Sequence, residues 1–159
     1  GWLNELAFAP VDLFEDAMAD EWSTDIGVGC KYFSQDAVIK LAPAAGIELD
    51  ENLSPAEKLK VVQALMEKDD PRAQAIFESI GAYLAYAVVL YSQFYDIEHM
   101  MMLGRVMSGK GGDTILRVCN EILADEYPAL AKKCDVSLPD EKTRRVGQSV
   151  AAASLPRIK

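Results

Sequence analysis

Apolar and polar positions change their spacing several times along the chain, and each change predicts an element. Leu6 to Leu13 (LAFAPVDL) is a short apolar run that predicts a strand, with Pro10 placing it at an edge or a bend. Phe14 to Ile26 is acidic, with Glu15, Asp16, Asp20, Glu21 and Asp25 around Trp22, and predicts a solvated short helix and loop; an acidic face for a metal or a partner is the other reading. Gly27-Val28-Gly29-Cys30 is a glycine turn. Ser34 is a good N-cap for a helix over Gln35 to Ala45, with Ala37, Val38, Leu41 and Ala45 facing inward and Gly46 as its stop. Ser54-Pro55-Ala56-Glu57 combines an N-cap, an N1 proline and a capping-box glutamate. The helix that follows, Pro55 to Lys68, puts Leu59, Val62, Leu65 and Met66 on one side.

Asp70-Pro71 opens the longest and most apolar helix, to about Tyr95. Its apolar positions cover more than one face, which predicts a central, largely buried helix. Gly81 sits inside it, either for close helix packing, the reading we favour, or for a flat ligand such as a nucleotide base. Met100 to Gly104 reads as a short buried strand, and Thr114 to Asp125 as a helix with Ile115, Leu116, Val118, Cys119, Ile122 and Leu123 inward. A short strand over Cys134 to Leu138 and a small-residue helix over Glu141 to Ser154 complete the pattern. Strand, helices, strand, helix, strand, helix is an α/β order.

Half of the 159 residues are apolar, which suits one compact domain over residues 1–159. Asp and Glu outnumber Lys and Arg by 25 to 16, and the net charge is -9. Without a basic run to follow a phosphate backbone, direct nucleic-acid contact is not expected. Arg144-Arg145 reads as a solvated pair or a partner for the acidic surface. Three dispersed cysteines, Cys30, Cys119 and Cys134, read as reduced thiols of a cytoplasmic protein. No stretch approaches the roughly 20 apolar residues that span a bilayer, and no membrane association or export signal is expected. Gly1-Trp2-Leu3 begins without methionine and runs straight into buried-looking sequence, which reads as part of a longer chain.

The candidate chemistry sits between Met100 and Asp113 (MMMLGRVMSGKGGD). An apolar strand ends at Leu103-Gly104, Arg105 follows, and Ser108-Gly109-Lys110-Gly111-Gly112 opens into a helix. Free N–H groups at such a helix start suit an anion, above all a phosphate. Lys110 reads as a solvated loop lysine or a phosphate contact, and Asp113 and Thr114 as N-cap and first-turn residues. His99 heads a His-Met-Met-Met run but has neither a second histidine nor a cysteine beside it, so it reads as a junction residue with methionines filling the core beneath it. No Ser-His-Asp or Cys-His arrangement supports nucleophilic hydrolysis.

Several motifs occur in a suggestive order. They are Gly81-Ala82-Tyr83-Leu84 on a long helix, a strand ending in Leu103-Gly104, the Gly/Ser turn into a helix, and the closing Gly147-Gln148-Ser149-Val150-Ala151-Ala152-Ala153. In that order they resemble the C-terminal lobe of the ROK family, sugar kinases and sugar-responsive repressors of the actin-like, hexokinase-like superfamily. The resemblance implies a ribonuclease H-like (actin-like ATPase) lobe, helix-rich, with a small incomplete sheet. Asn4-Glu5-Leu6-Ala7-Phe8 lies where the family carries Gly-Glu-Ile-Gly-His, so Glu5, with Asn4, is implied as the sugar contact. Gly104, Arg105, Ser108, Gly109, Lys110, Gly111 and Gly112 are implied as nucleotide-binding, with ATP or ADP and Mg as the parent protein's cofactor.

The departures matter as much. Phe8 replaces the family's zinc-ligating histidine, and Cys30 stands alone where the family has several cysteines, so no structural zinc is expected. Arg105 replaces the second glycine of the family's Gly-Gly turn; it either obstructs the nucleotide or grips a phosphate. The family's general base and first phosphate loop lie upstream of everything here, so no catalytic residue is assigned and this segment by itself is expected to be inactive. Three functions remain open: the nucleotide- and sugar-binding lobe of an ATP-dependent sugar kinase; a non-catalytic sugar-sensing, transcriptional-regulator domain acting in binding and oligomerisation; or an interaction domain that merely kept the fold. The partners expected are a sugar, a nucleotide and a second copy of the chain, since a lobe lacking its first strands exposes a sheet edge.

Overall fold

The computed structural model describes residues 6–139. Asn4, Glu5, Arg144-Arg145 and the expected closing helix with its Gly147–Ala153 motif therefore lie outside the described residues.

Five α-helices and two short strands follow one another as α1 (Gln35–Leu41), α2 (Pro55–Glu67), α3 (Pro71–Ser92), β1 (His99–Met101), α4 (Gly109–Glu126), α5 (Pro128–Lys133) and β2 (Asp135–Ser137) among the described residues. The helix starts follow from local chemistry. Ser34 Oγ accepts the Asp36 N–H at 3.2 Å. Ser54 and Glu57 close a reciprocal capping box ahead of Pro55, with the Ser54 N–H donating to Glu57 Oε2 at 2.9 Å. Asp70 caps α3 by accepting the Arg72 N–H at 2.9 Å, and Pro71 fills the first position. Gly46, at φ +72°, turns the chain shortly after α1.

α3 is the central helix. Phe77, Ile80, Leu84 and Val88 are buried, together with Leu59 and Val62 of α2, Val38 of α1, and Ile115, Cys119 and Leu123 of α4. By length and composition its 22 residues are apolar enough to cross a membrane, contrary to expectation; half of that apolar stretch is buried against the rest of the chain. Two glycines set the α3–α4 approach. A Cβ on Gly81 would lie 2.8 Å from the Ile115 carbonyl oxygen, and one on Gly111 would lie 2.6 Å from the Phe77 ring. Close packing thus accounts for Gly81, with no ligand required.

β1 and β2 form a parallel pair, with His99 opposite Asp135, Met100 opposite Val136 and Met101 opposite Ser137. A parallel pair needs a crossover, and α4 and α5 supply it. The class is therefore α/β, helix-rich, with a small sheet. β1 is not the buried strand expected: Met100 is half-buried on the core, while His99 and Met101 are exposed. A two-stranded sheet covered on one face leaves every second side chain in solvent.

Two further expectations are corrected. Leu6 to Leu13 is not a strand. It is a 3₁₀ turn over Leu6–Phe8 followed by a single bridge from Pro10 to Val28. Proline donates no N–H, and the next two N–H groups, of Val11 and Asp12, converge on one acceptor, the Gly27 carbonyl, at 2.7 and 3.1 Å. The second correction concerns the helix after the glycine run, which starts at Gly109 instead of Thr114. Gly111 and Gly112 are inside its first turn because no side chain fits there: a Cβ on Gly112 would lie 2.1 Å from the Met107 carbonyl oxygen.

Candidate functional site

In α/β folds, ligands collect at the carboxyl ends of parallel strands. Beyond β1 the chain passes Leu103 and Gly104 into a 3₁₀ turn, Arg105–Met107. Gly104 has φ +125°, a conformation that disfavours side chains, and nothing lies within 4 Å of where its Cβ would be. The backbone there is open to an approaching group. A cleft of about 410 Å³ lies against it, lined by Leu103–Val106, by Cys30, Lys31 and the stretch 33–36, and by Asp20.

The polar groups of this cleft differ in how fully they are engaged. Lys31 is buried, 5% exposed, and its Nζ lies 2.7 Å from Glu21 Oε2 and 2.7 Å from Asp36 Oδ2. Burial opposes its charge, but the Asp36 and Glu21 carboxylates outweigh that and hold the ammonium up to about 12. Cys30 donates its thiol hydrogen to Asp20 Oδ1 at 3.7 Å, and burial, with the Asp20 charge, pushes the thiol up. The Ser23 and Trp22 N–H groups hold the Asp20 carboxyl below its usual range. Arg105 is the exception. Its carbonyl accepts from Gln63 Nε2 at 3.0 Å, but its exposed guanidinium has no hydrogen bond or ion pair among the described residues.

The residues read from sequence as a single phosphate cradle are divided between two places. Gly104 and Arg105 line the cleft, whereas Ser108, Gly109, Lys110, Gly111 and Gly112 do not. At the start of α4 the Lys110 N–H donates to Glu67 Oε1 at 3.1 Å, and Lys110 Nζ reaches the Glu67 carbonyl at 3.2 Å and Asp69 Oδ1 at 2.8 Å. A carboxylate from the end of α2 thus occupies the position where an anion would sit. The Lys110 ammonium, in return, neutralises the carbonyl end of α2. Lys110 is accordingly neither a free loop lysine nor an open phosphate contact.

No family model, curated protein or solved structure matches this chain. The site is therefore read from its own geometry. His99, with its side chain 81% exposed, has Nδ1 3.9 Å from Asp135 Oδ2, while Met100 and Met102 lean on the core. Among the described residues no group of three His, Cys, Asp or Glu gathers as a metal-ligand set.

Sequence reading missed Lys31. Its signal was present: Asp20 and Glu21 precede and Asp36 follows a lone lysine in Gly29-Cys30-Lys31-Tyr32, a charge balance that predicts a salt-bridged cation. The reading also missed the cluster of Tyr32, Tyr83 and Tyr86, which separate segments bring together; Tyr32 and Tyr83 meet edge to face at 5.9 Å. No local pattern announces that meeting.

Proposed function

We propose that this chain is the nucleotide- and sugar-binding lobe of an ROK-like, ATP-dependent sugar kinase, with a ribonuclease H-like lobe as its finer fold, and that Gly104 and Arg105 meet the nucleotide. The observation that carries this reading is the open Gly104 at the carboxyl end of β1, beside an unpaired guanidinium, within a parallel β1–α4–β2 unit. Glycine admits a ribose or phosphate close to the backbone, and guanidinium matches phosphate oxygens in two-point hydrogen bonds. Gly104 and Arg105 suit an ADP phosphate on their side of the cleft, where Lys31 offsets the Asp36 carboxylate of the opposite wall; at the first turn of α4 the Lys110 N–H is already taken by Glu67. When bound, ATP would supply the γ-phosphoryl group, leaving ADP, and its Mg would supply charge neutralisation. Arg105 would orient the phosphates, and the buried Lys31, tied to Asp36 and Glu21, would keep the opposite wall rigid.

Calorimetric titration with Mg·ADP tests this. Binding should weaken about tenfold in Arg105→Ala, the value of one charge-assisted contact, and stay unchanged in Glu67→Ala. Absence of ADP binding to the native chain sinks the proposal. Equal affinity in Arg105→Ala removes Arg105 from it.

The second reading, a sugar-sensing domain without catalysis, is favoured by one observation, the filled anion position at α4. Thermal stabilisation by a hexose without any response to ADP would select it.

A further inference from the structure

A more enclosed cavity, of about 390 Å³, lies apart from the β1 cleft, between the loop that contains Met18 and the helices α1 and α3. Ala87 and Leu90 of α3, Met18 of the loop and the rings of Tyr32, Tyr83 and Tyr86 make it largely apolar. Its size and lining fall in the range of small-molecule sites.

Most of its polar groups are already satisfied within the chain. Tyr32 Oη donates to Asp12 Oδ2 and accepts the Met18 N–H at 3.1 Å. Asp12 Oδ1 accepts the Phe14 N–H at 3.0 Å, and Tyr86 Oη donates to Glu126 Oε1 at 3.0 Å. Two donors are left over. Lys40 Nζ stands 5.7 Å from the centre of the Tyr32 ring; its charge acts on the Asp12 carboxylate, but it makes no contact ion pair or hydrogen bond among the described residues. The Tyr83 hydroxyl, on the ring that meets the edge of Tyr32, has no hydrogen bond there either. An ammonium and a phenol thus flank the same aromatic ring at an apolar cavity and share no acceptor from the chain.

We propose that this cavity binds a small apolar monocarboxylate, its tail among the tyrosine rings and α3 and its carboxylate between Lys40 and Tyr83. A carboxylate accepts from both donors and cancels one positive charge. The Asp12 carboxylate repels any anion in this cavity, and a phosphate dianion, with twice the charge, more strongly than a monocarboxylate. A cationic ligand would meet Lys40, and both Asp12 oxygens already hold a donor.

The test uses the whole chain with 3-phenylpropionate, its neutral amide and 3-phenylpropylamine, read by saturation-transfer NMR and calorimetry. The acid should bind with Kd below about 1 mM and the amide and amine about fivefold or more weakly, as expected of a partly exposed ion pair. Lys40→Met should bring the acid down to the level of the amide without moving the amide. Ala87→Phe, which fills the cavity, should abolish binding of both. Lys40 is exposed, so Lys40→Met decides the matter even if Ala87→Phe fails to fold. No binding of the acid, equal binding of acid and amide, preference for the amine, or an acid affinity indifferent to Lys40→Met would each overturn the proposal.

Discussion

Lys31 illustrates how one residue carries its surroundings. A lysine 5% exposed keeps its charge because two carboxylates sit within 2.7 Å, one from the acidic loop and one from the first turn of α1. Its folded value, about 12, lies above the ordinary 10.5, so its stabilisation is complete below pH 10.5 and disappears as pH rises through about 12. The shift corresponds to an upper limit on the order of 2 kcal/mol, less in practice because Glu21 is largely exposed. Tyr32, pushed up to about 12 by burial and by its bond to Asp12, moves in the same direction. Urea midpoints of wild type and Lys31→Met, compared at pH 8 and at pH 12, should therefore converge at the higher pH. A gap of constant size would show that the ion pairs contribute nothing through charge.

Among elements, the α3–α4 contact decides most. Gly81→Ala should raise helix propensity by about 1 kcal/mol in isolation, yet the new methyl would stand 2.8 Å from a backbone carbonyl that cannot swing aside. Overpacking of this kind typically costs 1–3 kcal/mol, so the net result should be destabilisation by about 1 kcal/mol, read from the urea midpoint. A stabilised variant would mean that the helices separate without penalty. The same contact shows which elements were legible in sequence. Ser34, Ser54 with Glu57, and Asp70 with Pro71 act on N–H groups two or three residues away, so their helices could be placed from sequence. The start of α4 was misplaced because the reason for Gly111 lies in Phe77, on another helix. A glycine that fits under a distant ring and one that frees an N–H for phosphate look identical in a one-dimensional pattern. For the same reason only Gly104 and Arg105 of the expected cradle share the cleft: Glu67, which engages Lys110, is 43 residues away from it.

At the scale of the molecule, the three thiols report on how the core is closed. Cys119 is 0% and Cys134 3% exposed, and burial pushes Cys119 up to about 12, whereas Cys30 is only half-buried. Titration with an aromatic disulfide at pH 8 should modify Cys30 slowly in the native protein and the other two only at the rate of global unfolding. Equal rates for all three would show that the β2 end of the core opens independently. The apolar length of α3 has a consequence during synthesis. Its main partner is encoded later, and 34 residues separate Ser92 from Glu126, the ends of α3 and α4. At ordinary elongation rates those residues take roughly 2–7 s to add. Over that interval a helix with the length and composition of a membrane span is made with its α4-facing side bare, an apolar surface that α4 covers only once it has been added.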